Sequence, residues 1–281
     1  MSSSGNPRIV RAVVIGVTGR MGQALLRAAP AFAQLLITGA IASPTSLALG
    51  RDAGEVAGAD RNNLAVASDL PGSLAQADVA LDFSSPRATG ENVRACREAR
   101  KALLVGTTGF GAEVEAVLDA AARDIPLLVA ANTSIGVAVL TELVRSAARR
   151  LPSSFDIDVL DFHHRLKRDA PSGTALALGA AAAAARASSG AAKTAPATDR
   201  ATSRAGSRPA GQVEFASVRA GDLVGEHTVL FCGTGEQLSL THRASDRAVF
   251  ARGALQAALW LESQPPGRYS MSDFLGFETN T

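Results

Sequence analysis

The chain has 281 residues, of which 47% are hydrophobic and 19% charged, so it is long enough for two domains and is not typical of a disordered protein. A formal net charge of +2 argues against a nucleic-acid partner. No apolar run reaches the roughly 20 residues of a membrane helix, so no membrane partner is expected. Residues 1–7 lack the pattern of a secretory signal and are expected to be a disordered lead-in. Cys96 and Cys232 form neither a metal-ligand spacing nor a disulfide framework, so a reducing cytoplasm is the expected compartment.

The first part of the chain alternates between apolar runs of strand length and segments whose apolar residues recur at helical spacing. Strands that alternate with helices of 10 to 15 residues predict an α/β fold with a doubly wound, Rossmann-like parallel sheet. The predicted strands cover residues 9–15, 35–42, 79–82, 102–105 and 127–130, and the predicted helices cover 20–33, 88–100 and 112–123.

Beyond residue 132 the pattern becomes that of a second, α+β domain. A stretch at 188–211 has no hydrophobic periodicity and is expected to be a mobile loop. The connections 219–222 and 233–236 have the composition of hairpin turns, so the three strands that they join are expected to be antiparallel. Ser272 and Asp273 are expected to cap a last short turn. The predicted helices cover 137–150, 175–187 and 249–261, and the predicted strands cover 155–162, 213–218, 227–231 and 237–241.

A glycine-rich turn, Gly16-Val17-Thr18-Gly19-Arg20-Met21-Gly22, joins the first strand to the first helix. Glycines at such a junction let the backbone approach a pyrophosphate, whose charge is stabilised by the amides of the helix N-terminus. The spacing differs from the standard dinucleotide fingerprint, and a purely structural turn is the alternative. Its place within a strand–turn–helix unit favours a nucleotide site.

The stretch after the second strand carries no carboxylate and reads Ala42-Ser43-Pro44-Thr45-Ser46. An NAD site usually has an acidic residue there, which holds the ribose hydroxyls. Small hydroxyl side chains, with Arg20 and Arg51 as candidate partners, tolerate a 2′-phosphate better than a carboxylate does. The sequence therefore favours NADPH and leaves NADH open, and a simple turn is the alternative interpretation.

The second candidate site is residues 161–174, which contain the adjacent pair His163 and His164 and three cationic side chains. Ser172 or a neighbour is expected to cap the following Ala-rich helix, while the first amides of that helix bind an anion. Lys167 adds a positive charge, and a histidine can deliver a proton near neutral pH. Adjacent histidines on a strand face opposite ways, so no metal site is predicted. The alternative is a solvated basic loop.

Three loops follow strands of the predicted first sheet. Because ligands of such sheets bind outside the carboxyl ends of the strands, these loops are placed for the nicotinamide half of a dinucleotide. Each loop taken alone is also compatible with a cap or a turn. The loops are Asp82–Ser84, Gly106–Phe110 and Ala130–Ser134.

Several of these motifs resemble those of the dihydrodipicolinate (4-hydroxy-tetrahydrodipicolinate) reductase family of lysine and diaminopimelate biosynthesis. They are Gly16–Gly22, Gly106–Phe110, His163–Thr174, Arg219–Thr228 and the tail near Phe274. The resemblance covers about residues 8–277, and its segment from the histidine pair to Ser-Gly-Thr is long and unusual.

This resemblance implies reduction of 4-hydroxy-tetrahydrodipicolinate to tetrahydrodipicolinate, with a hydride from the nicotinamide C4 of NAD(P)H and a proton from His163. It implies a dinucleotide-binding domain at 1–134, to which the tail at 245–281 returns. It also implies a substrate-binding and tetramerisation domain at 135–244, and usually a homotetramer. The substrate that the resemblance implies is a small cyclic dicarboxylate.

The resemblance also implies residue roles, with His163 as the proton donor and Lys167 as the second catalytic residue. Two departures from the family pattern are the absence of an acidic residue around Ser43 and the presence of Thr133 where an aromatic can occur. The implied substrate-binding residues are His164, Ser172, Gly173, Thr174 and Thr108. The cofactor-binding residues are Gly16, Val17, Thr18, Gly19, Arg20, Met21, Ser43, Gly106, Thr107, Thr108, Ala130, Ala131, Asn132 and Thr133.

Two other functions remain open at this point. One is a related two-domain dehydrogenase that acts on an amino acid such as aspartate. The other is a catalytically silent nucleotide-binding sensor, against which the presence of both His163 and Lys167 argues.

Overall fold

A computed structural model of the protein describes residues 8–188 and 212–277. The expected lead-in at 1–7 and, apart from Ser188, the expected loop at 188–211 lie outside the described residues. The chain forms two compact units: the first comprises the residues up to Ile135 together with those from Ala248 onward, and the second comprises Gly136–Arg247. None of the described helices is both long and apolar enough to span a bilayer.

The elements are numbered here along the whole chain. The strands are β1 (Val10–Ile15), β2 (Leu35–Ile41), β3 (Val66–Ala67), β4 (Val79–Asp82), β5 (Ala102–Val105), β6 (Pro126–Val129), β7 (Asp156–His163), β8 (Val213–Arg219), β9 (Gly225–Gly233), β10 (Glu236–Ala244) and β11 (Gly267–Tyr269). The helices are α1 (Arg20–Ala28), α2 (Ala53–Val56), α3 (Leu70–Leu74), α4 (Pro86–Glu98), α5 (Ala112–Ala121), α6 (Ile135–Arg150), α7 (Gly173–Ser188), α8 (Ala248–Leu261) and α9 (Met271–Phe274).

The first unit is built on a seven-stranded sheet with the order β11-β6-β5-β4-β1-β2-β3. Every strand pair in it is parallel, which confirms the predicted doubly wound α/β fold. Because helices cover a sheet of this kind on both faces, its inner strands are apolar throughout, and β4 and β5 are buried along their whole length. The strand order reverses between β1 and β4, which is where ligands of such sheets bind.

The C-terminal tail returns to this sheet, because β11 pairs in parallel with β6. The expected cap of the last turn was misplaced by two residues. Ser270, not Ser272, caps α9, and its hydroxyl and the Asp273 carboxylate form a reciprocal capping box. The shortest elements, β3, β11, α2 and α3, were not predicted because two to five residues are too few to show a periodicity.

The second unit contains a four-stranded sheet with the order β10-β9-β7-β8. The predicted hairpin between β9 and β10 is confirmed, with Gly235 in the left-handed region at φ +82°. The strands β8 and β9 also run antiparallel, as expected, but they do not form a hairpin because β7 lies between them. The chain passes from β7 through α7 to β8, which pairs in parallel with β7, as in a crossover unit. The connection at 219–222 then leads across the end of β7 to β9, which pairs with β7 on its other side.

One face of this second sheet changes from apolar to polar along its strands. Alternate side chains of β7 are buried on that face, first Ile157 and Val159 and then Asp161 and His163. The apolar part packs against α6 and α7 in a core that includes Val144, Leu178 and residues of β8 and β9. The polar part forms the end of the sheet where the candidate site lies.

An ion pair in the first unit gives a prediction about stability. Asp78 accepts hydrogen bonds from the Arg11 backbone amide (2.8 Å) and guanidinium (2.9 and 3.1 Å), and the bond from the guanidinium does most to lower its pKa from 3.8 to about 2. Asp78→Asn should lower the free energy of unfolding at pH 7 by about 1–2 kcal/mol. This is less than the pKa shift alone implies, because Arg11 is about half exposed and solvent screens its charge. Because the folded pKa is depressed, this contribution is fully present above pH 4 and fades as the pH falls through 2. Urea unfolding of both proteins across this range checks it, and a pH-independent difference would contradict it.

Candidate active site

The glycine turn after β1 is shaped by close backbone contacts. Gly16 has φ +89°, and a Cβ placed on it would lie 2.5 Å from the Phe83 carbonyl oxygen. A Cβ on Gly22 would lie 2.3 Å from the Gly16 carbonyl oxygen, so this glycine lets α1 approach the turn. Gly19 occupies the N-cap position of α1, where no side chain of the described residues makes a capping bond. The first amides of α1 are therefore placed to receive an anion.

A cavity of about 560 Å³ opens beside this turn, at the point where the strand order reverses. Its walls bring together three of the predicted turn residues (Gly16, Thr18 and Gly19), predicted Ser43 after β2, and the stretch 83–85 after β4. The other predicted turn residues, Val17, Arg20 and Met21, do not line it, and Val17 is fully buried.

Asp82 ties together the loops that follow β4 and β5. Its buried carboxylate accepts hydrogen bonds from the Ser84 amide (2.9 Å) and the Thr107 hydroxyl (3.3 Å). Gly106 packs on the Phe83 ring so closely that an added Cβ would lie 2.0 Å from it. Predicted Thr108, in contrast, is exposed. Asp82 was part of a loop predicted from the sequence, but its role in linking the two loops was not predicted.

The loop after β6 is fixed by contact with α8. The Thr133 hydroxyl donates a 2.7 Å hydrogen bond to the Phe250 carbonyl, and Asn132 Oδ1 accepts the Ser134 amide at 2.9 Å. Ala130 is buried and Ala131 is exposed. The Thr133 side chain is therefore held against α8 by this hydrogen bond.

In the second unit, Asp161 lies at the centre of a polar cluster and is fully buried. His163 Nδ1 lies 2.9 Å from Asp161 Oδ1, and His227 Nε2 lies 3.4 Å from the same oxygen. Arg219 donates to Asp161 Oδ2 at 2.8 Å, as does the Ser172 amide at 2.9 Å. Burial by itself raises the pKa of Asp161, but these donors outweigh it and hold the pKa well below its usual range.

The three ligand-type side chains Asp161, His163 and His227 place their atoms within 4.8 Å of one another. A cation there would be opposed by the Arg219 guanidinium on the same carboxylate. We therefore treat the cluster as a network of close polar contacts around one carboxylate. His164, the other histidine of the adjacent pair, follows the end of β7 and is not part of this group.

Ser172 connects the network to the N-terminus of α7. Its hydroxyl accepts the Ala175 amide at 3.2 Å, which confirms the predicted cap, and lies 3.0 Å from His227 Nε2. Gly173 and Thr174 form the first turn of this 16-residue helix, the positive end of its dipole. A carboxylate group of a ligand is stabilised at such a position.

Lys167 is paired with Asp169, whose carboxylate lies 2.8 Å from the ammonium group. Burial of Asp169 raises its pKa, but the hydrogen bond from Lys167, a backbone hydrogen bond and the charges of Lys167 and Arg219 together outweigh burial and lower the pKa. The predicted cation is thus present in the loop between β7 and α7, and a bound carboxylate would compete with Asp169 for it.

The sequence analysis included Arg219 and His227 in a motif of the family resemblance, but it gave neither residue a role. They come from β8 and β9 and reach Asp161 on β7 only because these three strands are neighbours. A histidine and an arginine in one short motif were the available signal, but the strand order that brings them to the site could not be read from local pattern.

Comparison with known proteins identifies similar chains over both units. The family model "Dihydrodipicolinate reductase, N-terminus" matches residues 10–133, and its C-terminal counterpart matches 136–275. A 4-hydroxy-tetrahydrodipicolinate reductase of Alkalilimnicola ehrlichii is 47% identical over 266 residues, covering 95% of this chain and 98% of the relative. One from Anaeromyxobacter dehalogenans is 45% identical over 268 residues, with the same coverage.

A solved structure has the same fold. The dipicolinate-bound dihydrodipicolinate reductase from Paenisporosarcina sp. TG-14 superimposes with a TM-score of 0.73 at 23% identity, covering 93% of this chain and 97% of the other.

Proposed function

Because the chain belongs to the dihydrodipicolinate reductase family, a family of oxidoreductases, we propose that it reduces 4-hydroxy-tetrahydrodipicolinate to tetrahydrodipicolinate with NAD(P)H. This reaction would serve lysine and diaminopimelate biosynthesis. The observation that carries the proposal is His163 held at the end of β7 beside the N-terminus of α7, which joins a proton donor to an anion site.

The first unit fits a dinucleotide. The close-packed glycines, the α1 N-terminus without a side-chain cap and the adjoining cavity together offer backbone amides and space for a pyrophosphate and an adenosine. A nicotinamide held along this sheet edge supplies a hydride from C4 when it is bound. The loops at 106–108 and 130–133 follow neighbouring strands and are proposed to hold that half of the cofactor.

The second unit supplies the proton and the anchors for the substrate. His163 is proposed to protonate the ring carbon next to the carbon that receives the hydride, and Lys167 to hold a substrate carboxylate or assist the proton transfer. The second carboxylate is proposed to bind the first turn of α7, at Ser172, Gly173 and Thr174, with help from His164. A dipicolinate-bound relative of the same fold agrees with a dicarboxylate ligand.

NADPH is the favoured cofactor, because Ser43 lines the cavity where an NAD enzyme carries an acid. Ser43→Asp should raise KM for NADPH by about tenfold or more and affect NADH much less, since a carboxylate repels the 2′-phosphate. Leu47→Asp is the matched control: it adds the same charge to the same loop at a side chain that is 97% exposed and lies outside the cavity. Steady-state kinetics with both cofactors decides this, and equal effects of Ser43→Asp on both would remove the argument for NADPH.

The reaction itself is tested by following cofactor oxidation at 340 nm. The substrate is made in the cuvette by a dipicolinate-pathway synthase from pyruvate and aspartate semialdehyde. We expect oxidation that depends on the synthase and on both of its substrates. If the protein binds nucleotide but oxidises neither NADPH nor NADH, the reductase proposal is wrong, and an amino-acid dehydrogenase or a nucleotide sensor takes its place.

A homotetramer is the proposed assembly, built through the second units. Its basis is the family resemblance together with the sheet face opposite α6 and α7, where Val218 is exposed. Light scattering coupled to gel filtration checks the mass, and a monomer at assay concentration would contradict this assembly.

A further inference from the structure

Asp161 is the one residue in the polar cluster of the second unit that contacts every other part of it. It is fully buried, and its side-chain neighbours come from three strands: His163 on its own strand, Arg219 and Ser217 on β8, and His227 on β9. The start of α7 contributes the Ser172 amide. A buried carboxylate with this many partners fixes the geometry of whatever it holds.

The two oxygens of Asp161 are divided between different partners. Oδ2 receives Arg219 Nη2 at 2.8 Å, the Ser172 amide at 2.9 Å and the Ser217 hydroxyl at 3.3 Å. Oδ1 faces the imidazoles, with His163 Nδ1 at 2.9 Å and His227 Nε2 at 3.4 Å. The strong donors on Oδ2 keep the carboxylate ionised, so Oδ1 presents negative charge to Nδ1 of His163.

A negative oxygen beside Nδ1 selects the histidine tautomer that carries a proton there. The other nitrogen, Nε2, then becomes the position where a transferable proton is gained and lost. Space at Nε2 is kept by Gly225, where an added Cβ would lie 3.0 Å from that atom. The charged and titratable groups around His163 on these elements are Asp161, Arg219 and His227, whose ring lies edge-on at 5.2 Å between centroids.

The same carboxylate also fixes the anion site. By accepting the Ser172 amide, Asp161 holds the residue that caps α7, and the Ser172 hydroxyl in turn lies 3.0 Å from His227 Nε2. One side chain thus positions both the imidazole of His163 and the start of α7, although Ser172 lies 11 residues from Asp161 in the chain.

We propose that Asp161 is a positioning residue that holds His163 as the Nδ1–H tautomer, with Nε2 as the reacting nitrogen, in fixed register with the N-terminus of α7. This inference rests on the proposed function for the role of His163 in the reaction, but the tautomer and the geometry are properties of the free protein. The two can therefore fail separately.

The test is long-range ¹H–¹⁵N NMR of the full chain with labelled histidine. The chain has four histidines, and the spectrum of His163→Gln assigns the signal of His163. In the wild type we expect neutral His163 to carry its proton on Nδ1. In Asp161→Asn we expect loss of that preference, because the negative oxygen beside Nδ1 has been removed.

Two control variants separate positioning from general damage. Ser217→Ala removes one donor to the carboxylate but keeps the charge, and Asp158→Asn removes a carboxylate from the same strand on the opposite face. Both should leave the tautomer of His163 unchanged. Asp161→Glu keeps the negative charge but should displace the imidazole and lower kcat.

In turnover, Asp161→Asn should lower kcat by about 10²-fold. An Nε2–H tautomer in the wild type overturns the proposal, and this result needs no variant to fold. An unchanged preference for Nδ1–H in folded Asp161→Asn also overturns it. If the NMR results are as expected but His163→Gln retains full activity, positioning by Asp161 stands and the proposed function fails.

Discussion

Replacement of His163 by Gln is expected to lower kcat by about 10²- to 10⁴-fold and to leave nucleotide binding unchanged. The reason is that Gln keeps a polar side chain at the end of β7 but cannot gain and release a proton near neutral pH. Binding should be unaffected because the proposed cofactor contacts all lie in the first unit, whereas His163 lies in the second. Turnover by cofactor oxidation and nucleotide affinity by calorimetry give the two readouts.

His242→Gln is the matched control for this experiment. It makes the same change in the same unit, on β10, at a half-buried histidine for which we propose no role in the reaction. We expect its kcat to stay within about threefold of the wild type. A His163→Gln protein as active as His242→Gln would show that the proton comes from another group, and the assignment of His163 would be withdrawn.

The second large effect is expected at Gly22, where Ala should reduce both stability and nucleotide affinity. A Cβ there would lie 2.3 Å from the Gly16 carbonyl oxygen, and the clash is with backbone, so α1 must move away from the turn. Overpacking of this kind costs about 1–3 kcal/mol. The shift also displaces the first amides of α1, so we expect nucleotide affinity to fall by about tenfold or more.

Gly90→Ala provides the comparison, because it is the same substitution at a buried helical glycine. A Cβ there meets only Val114 at 3.7 Å and Arg94 at 3.8 Å, which are ordinary contacts. Alanine's higher helix propensity should therefore leave the protein unchanged or stabilise it by up to about 1 kcal/mol. Denaturant unfolding of both variants checks the pair, and Gly22→Ala as stable as Gly90→Ala would show that the turn tolerates a wider separation.

Much of the first unit could be predicted from the sequence because its signals are local. Apolar runs such as β4 and β5 are continuous, the glycine turn lies between a strand and a helix, and both properties are visible within a few residues. The cap of α7 at Ser172 was predicted for the same reason. The placement of β8 beside β7 depends on a crossover of some 50 residues, and nothing in the local pattern specifies it.

The candidate site shows the same division. The segment from His163 to Thr174 is continuous and was found directly, whereas Asp161 gained its role only from contacts with β8 and β9. Arg219 lies 58 residues from Asp161 in the chain, and the distance between them is set by sheet order alone. A buried carboxylate on a strand is a weak signal until its partners are known.

The most direct test of the central claim is to follow the hydride. The enzyme and the synthase-generated substrate are combined with NADPH that carries deuterium at either the pro-R or the pro-S position of nicotinamide C4. The reduced product is analysed by mass spectrometry. We expect tetrahydrodipicolinate with one deuterium from one of the two labelled cofactors and none from the other. Product without deuterium from either cofactor, or no product although nucleotide is bound, would contradict it.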